Sequence, residues 1–152
     1  MKASRGETTL SRLGAGRGAL LVAAVLLLLH GCASKQDEEV RKLQAKATYE
    51  QAVRNLTENR LALGMAALKE ALQLDPDNAQ YHNTLGLVLL NLGRPVDGQA
   101  EFQTAIDLDK TSPDIQHNLG IALAQQSRFE DAVAAYKKAL TFPDFISMVS
   151  DS

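Results

Sequence analysis

The chain has 152 residues, 16 basic and 18 acidic, with 45% hydrophobic and 5% aromatic content. That length suits one ordinary domain, and the apolar fraction argues against wholesale disorder. A formal net charge of −2 lacks the basic footprint of a nucleic-acid binder, and a single cysteine excludes an internal disulfide and a Cys-rich zinc site.

The first seventeen residues hold Lys2, Arg5, Arg12 and Arg17 against Glu7. An unbroken apolar run of 11 residues follows, from Ala19 to Leu29, and then His30, Gly31 and Cys32. A basic start, an apolar run of this length and a small residue at its end describe an export signal. A membrane-spanning helix needs about 20 apolar residues, which disfavours permanent anchoring by this run alone. No twin arginine is present, so the general secretory route is expected. The stretch Leu29-His30-Gly31-Cys32 resembles the lipobox of bacterial lipoproteins, with Leu29 and Gly31 in pattern and His30 where a small or β-branched residue is usual. The resemblance implies cleavage before Cys32 and lipid on its thiol. The alternative is an ordinary secretory signal with an incidental cysteine. Two or three acyl chains, at ~0.8 kcal/mol per buried CH₂, anchor a protein stably where one does not. Ala33 follows, not aspartate, which by the same resemblance favours the periplasmic face of the outer membrane. Without the signal, 1–31, the chain carries 12 basic and 17 acidic residues, a surface not drawn to nucleic acid or anionic lipid.

Residues 32–44 are polar and charged and are expected to form a short tether. Beyond them the sequence repeats. Ala71, Ala105 and Ala139 stand 34 apart, as do Leu68, Phe102 and Tyr136, and Gly64, Gly98 and Ala132. Leu85-Gly86 returns as Leu119-Gly120, and Leu74-Asp75-Pro76 as Leu108-Asp109-Lys110. Small residues let two antiparallel helices approach, and large ones at helical spacing fill the space between them. Pro95 suits a first helical turn, Gly93 a helix stop, and Asp75-Pro76-Asp77-Asn78 and Thr111-Ser112-Pro113 are turn chemistry. This 34-residue period resembles tetratricopeptide repeats. The expected fold class is therefore all-α, a solenoid of about three helix–turn–helix units at 45–78, 79–112 and 113–146. Its helices are expected near 45–58, 61–74, 79–92, 95–108, 113–126 and 129–141, with a disordered tail at 147–152. An unrelated helix bundle is the competing reading. The first unit fits least well, because Gln51-Ala52 stands where the others have Leu-Gly.

Stacked repeats present a groove lined mainly by the first helix of each unit. The matching residues are Tyr49, Val53 and Leu56, then Asn83, Leu87, Leu90 and Asn91, then His117, Ile121 and Gln125, with Lys46, Gln80 and Asp114 at the edge. An apolar floor with amide and histidine edges suits an amphipathic helix or an apolar peptide. Some of these apolar residues could instead be core between units. Little points to catalysis: His82 and His117 have no partner at metal-ligand spacing, and no nucleophile or phosphate-loop motif is present. The acidic pairs read as caps, turns and solvated faces. No enzyme activity, metal or cofactor is expected.

A lipobox followed by such repeats, with the third unit ending Lys138-Ala139-Leu140-Thr141-Phe142-Pro143-Asp144-Phe145, resembles the type IV pilus biogenesis lipoproteins, the PilF/PilW-like pilotins. That resemblance implies an outer-membrane lipoprotein that binds a secretin subunit and aids its assembly. A lipidated scaffold for peptidoglycan or protease machinery is the alternative, and a periplasmic enzyme accessory or hydrolase a third. Pilotins of this kind carry longer arrays. The chain is therefore read as a truncated member, or one whose final helix, with Phe129, Val133, Tyr136 and Leu140, is covered by a partner or by self-association.

Overall fold

The computed structural model describes the backbone of residues 15–142 and the side chains of 35–142. The start of the signal, the Cys32 side chain and the 147–152 tail lie outside the described residues. Among these residues the fold is all-helical: α1 (Ala15–Thr57), α2 (Leu61–Leu74), α3 (Ala79–Asn91), α4 (Pro95–Leu108), α5 (Pro113–Gln125) and α6 (Phe129–Ala139). The chain divides into two compact units, Met1–Val40 and Arg41–Ser152, and the repeats lie in the second. No helix among the described residues is long and apolar enough to cross a membrane.

Helices α2 to α6 begin and end within two residues of the places set by the period. The stretch 35–44 departs from expectation: it is helical, within α1, and every one of its side chains is exposed. The physical reason is local. The run KQDEEVRKLQ holds strong helix formers only, apart from Asp37 and Val40, and Asp37–Arg41 and Glu38–Lys42 stand four apart with the acid first. Polarity made it look like a tether, while propensity makes it a helix.

Each hairpin closes with the same turn. Asn59, Gly93 and Ser127, spaced 34 apart, adopt left-handed backbone at φ 59°, 70° and 60°. The following residue is arginine each time, and its N–H donates five residues back: Arg60 to Asn55 at 2.8 Å, Arg94 to Leu89 at 2.9 Å, Arg128 to Leu123 at 3.0 Å. The left-handed residue's own N–H donates three back, as in a Schellman stop. Arg94 and Arg128 then pair with Asp97 and Asp131 in the next turn, and Arg60 with Glu58. Between units, Asn78 caps α3 by accepting from Gln80 N–H at 3.1 Å, and Pro95 and Pro113 open α4 and α5.

Within each hairpin a small residue on the first helix faces a large one on the second. A Cβ built on Gly86 would lie 2.5 Å from Phe102 Cε1, and one on Gly120 2.4 Å from Tyr136 Cε1. The first unit makes the same fit with Ala52 and Leu68, both fully buried. Complete burial of Phe102 and Leu68 contributes about 1.5–3 kcal/mol each. Three cores follow one another along the stack. Ala45, Ala52, Leu68, Tyr81 and Leu85 join α1 to α3. Leu90, Phe102 and Ile115 join α3 to α5, and Leu123 packs with Ala132 and Ala135 of α6.

Candidate functional site

The residues picked for a groove separate into two sets. Val53, Leu87 and Ile121, one repeat apart, keep part of their side chains in solvent, and Leu87 is 37% exposed. Asn91, His117 and Gln125 are exposed beside them, and Tyr49 is half-buried. These seven residues share the face made by the first helices.

Leu90, Leu56 and Asn83 do not belong to that face as docking groups. Leu90 is 7% exposed and sits in the core, its Cδ2 only 3.2 Å from where a Cβ on Gly98 would be. Leu56, one repeat earlier, covers Gly64 in the same way, at 2.6 Å. Both turn toward their own hairpin partner because a glycine there leaves room. Asn83 is buried, and its Oδ1 accepts from Asn118 Nδ2 at 3.0 Å.

That amide pair has a counterpart one unit earlier. Tyr49 Oη and Thr84 Oγ1 lie 2.9 Å apart, and Gln80 Nε2 donates to Tyr49 at 3.4 Å. Both links join adjacent first helices with an offset of 35 residues, so polar struts hold α1, α3 and α5 beside the apolar ladder. Tyr49 also stacks on Tyr81, centroids 4.5 Å apart. Burial, with the nearby Asp75, Tyr49 and Glu50, pushes the Tyr81 hydroxyl above its usual pKa, so it stays neutral. His117 lies 5.4 Å from the Tyr136 ring, which steadies it at the edge of the face.

The second helices are strutted too. His82 faces acceptors at both ring nitrogens, Glu101 Oε2 at 2.7 Å and Pro76 O at 2.9 Å. Gln126 Nε2 and Arg128 Nη1 both donate to Gln99 Oε1. Asp109 accepts from the Thr111 hydroxyl and N–H, which hold its carboxyl below the usual range. No group of three or more His, Cys, Asp or Glu among the described residues could hold a metal ion. Thr84, Asn118, Glu101 and the arginines at 60, 94 and 128 were not singled out from sequence; recurrence at 34 residues was the available signal for all but Glu101, whose equivalents are Ala67 and Ala135.

Two family models match this arrangement, one described as a tetratricopeptide repeat over residues 83–145 and one as a TPR repeat over 59–93. The chain carries tetratricopeptide repeats. Solved structures agree on the fold of the tetratricopeptide stack. MamA superposes with a TM-score of 0.62 at 21% identity, over 71% of this chain and 61% of MamA, so the chain spans about three fifths of that protein. The second TPR of Spaghetti (RPAP3), bound to the HSP90 peptide SRMEEVD, gives 0.64 at 16% identity, over 68% of this chain and 98% of that domain. The Arabidopsis OM64 TPR domain gives 0.65 at 18%, over 68% and 86%. No curated protein sequence matches the chain.

Proposed function

We propose that the protein is a non-enzymatic adaptor, anchored through lipid on Cys32 at the periplasmic face of a bacterial outer membrane. In this reading its first-helix face binds an apolar or amphipathic helical segment of a protein partner. The observation that carries the binding is the ladder Val53–Leu87–Ile121, apolar and half-buried to exposed at one position of three successive units, with Ile121 also resting on the core beneath. A partner helix lays an apolar stripe along such a row, with amide edges at Asn91 and Gln125 to fix register. That the RPAP3 domain of the same fold is seen with a peptide supports a protein partner in general. The pilotin resemblance makes a secretin subunit the partner of choice.

Two experiments test the two halves. Purified secretin should be retained by the full chain, and Leu87→Arg should weaken retention about tenfold or more by placing a charge in the apolar row. Equal retention by the variant ends the groove reading. Leu90→Arg is not used, because a buried charge there would unfold the stack. A clickable fatty acid should label the wild type and not Cys32→Ala; label surviving the substitution ends the anchor reading.

A further inference from the structure

Helix α6 leaves Phe129 61%, Val133 50% and Leu140 48% exposed. At 100° per residue the three fall within about 40° of one another, with half-buried Tyr136 alongside. The adjoining face, Ala132, Ala135 and Ala139, is the buried one. In the earlier units most of the matching apolar positions pack toward the next first helix, although Leu61, two repeats before Phe129, stays 37% exposed. Met65 and Leu72 of α2, two repeats before Val133 and Leu140, pack against the core that α3 enters. Ile106 of α4, one repeat before Leu140, packs against the core containing Ile115 of α5. The stripe on α6 thus has the shape of a helix-docking surface.

Charge along its edge indicates which helix. Glu130 and Lys137 border the stripe on the side away from the core, seven residues apart. Suppose a second α6 lies antiparallel across a two-fold axis near Val133 and Ala134. Glu130 of each copy then meets Lys137 of the other, and the stripes face each other. In that register Phe129 falls opposite Lys138 of the second copy, between its Tyr136 and Leu140, one turn apart. A head-to-tail copy has no such match. The positions of α1 equivalent to Tyr81, Leu85 and Val88 are Ala47, Gln51 and Arg54, all exposed and mostly polar.

We propose that α6 pairs with α6 of a second copy of this chain, antiparallel, as a two-fold dimer. Three part-exposed side chains fall well short of the ~800 Å² per partner of a stable interface. The dimer is therefore weak, with Kd on the order of tens of micromolar.

Sedimentation equilibrium of the full chain in a non-ionic detergent, from about 1 to 500 µM, tests this. The expected result is a monomer–dimer equilibrium. Glu130→Lys or Lys137→Glu alone turns both reciprocal contacts repulsive and should weaken it about tenfold. The double variant should restore the wild-type constant. Phe129→Asp should abolish the dimer and leave the monomer's melting temperature unchanged. A monomer at every concentration overturns the proposal, as does a dimer indifferent to these substitutions or a double variant that fails to recover. A lower melting temperature for monomeric Phe129→Asp overturns it too, since the chain's own residues would then be covering the stripe.

Discussion

The ring of Phe102 and the missing side chain of Gly86 form one structural unit. Gly86→Ala places a methyl 2.5 Å from Phe102 Cε1 and is expected to cost about 1–3 kcal/mol by overpacking. Adding Phe102→Leu recreates the Ala52 and Leu68 pair of the first unit. The double variant should therefore lose less stability than the two singles summed, as urea denaturation of all three would show. A second residue-scale effect is a pH dependence. The Thr111 hydroxyl and N–H lower the Asp109 pKa in the folded chain, so the folded state binds that proton less tightly than the unfolded one. Its stabilisation is complete above the ordinary carboxylate value, about 4, and is lost as pH falls through the lower folded value. Wild type should lose more stability than Asp109→Asn between about pH 4 and pH 2, followed by thermal melts. At this scale the sequence was legible where size alternated at a fixed interval, as at Gly86, Phe102, Gly120 and Tyr136. It was less legible at Leu56 and Leu90. Periodicity placed them on the first helix, but their direction is set by Gly64 and Gly98 on the second, a contact between helices that no single-helix pattern contains.

For a hairpin, the deciding feature is the left-handed residue that ends its first helix. Gly93 adopts φ 70° without strain, whereas Ser127 holds φ 60° with a Cβ present. Gly93→Ala should destabilise by about 1 kcal/mol, and Ser127→Gly should be neutral or stabilising by a few tenths. Guanidinium titrations at both positions would check the opposite signs. The glycine stop at 93 was readable in advance. The equivalent stop at Asn59 was signalled only weakly, asparagine being the commonest non-glycine residue in left-handed backbone, and that at Ser127 not at all. Helix boundaries came out well because proline, glycine or Asx residues mark the junctions before α3, α4 and α5, and the 34-residue period carries the remaining boundaries. The long α1 did not, because 35–44 has the composition of a solvated linker and also the propensity of a helix, and only packing or its absence could arbitrate. All ten side chains there are exposed, so propensity decided.

Across the repeat stack, cores are shared between neighbours: α3 contributes to the first and second, and α5 to the second and third. A stack of this kind is held by nearest-neighbour interfaces, and among the described residues the third unit meets only the second. The amides of α6 should exchange with deuterium ahead of those of α3 and α4, measured on the full chain. Equal protection along the stack would mean that the third unit is as well held as the second. The solenoid class was legible because many positions kept phase together, whereas the first-helix face was legible only as a set. Finally, the closing turns, their arginines, the links between first helices and the ladder residues recur at the repeat interval. An in-frame duplication or loss of 34 codons that cuts between units would therefore keep each hairpin and its closing turn whole, whereas a cut inside a hairpin can set Ala52 against Phe102. The protein can change its reach by whole units while keeping its hairpins, with only the polar links between units left to re-match.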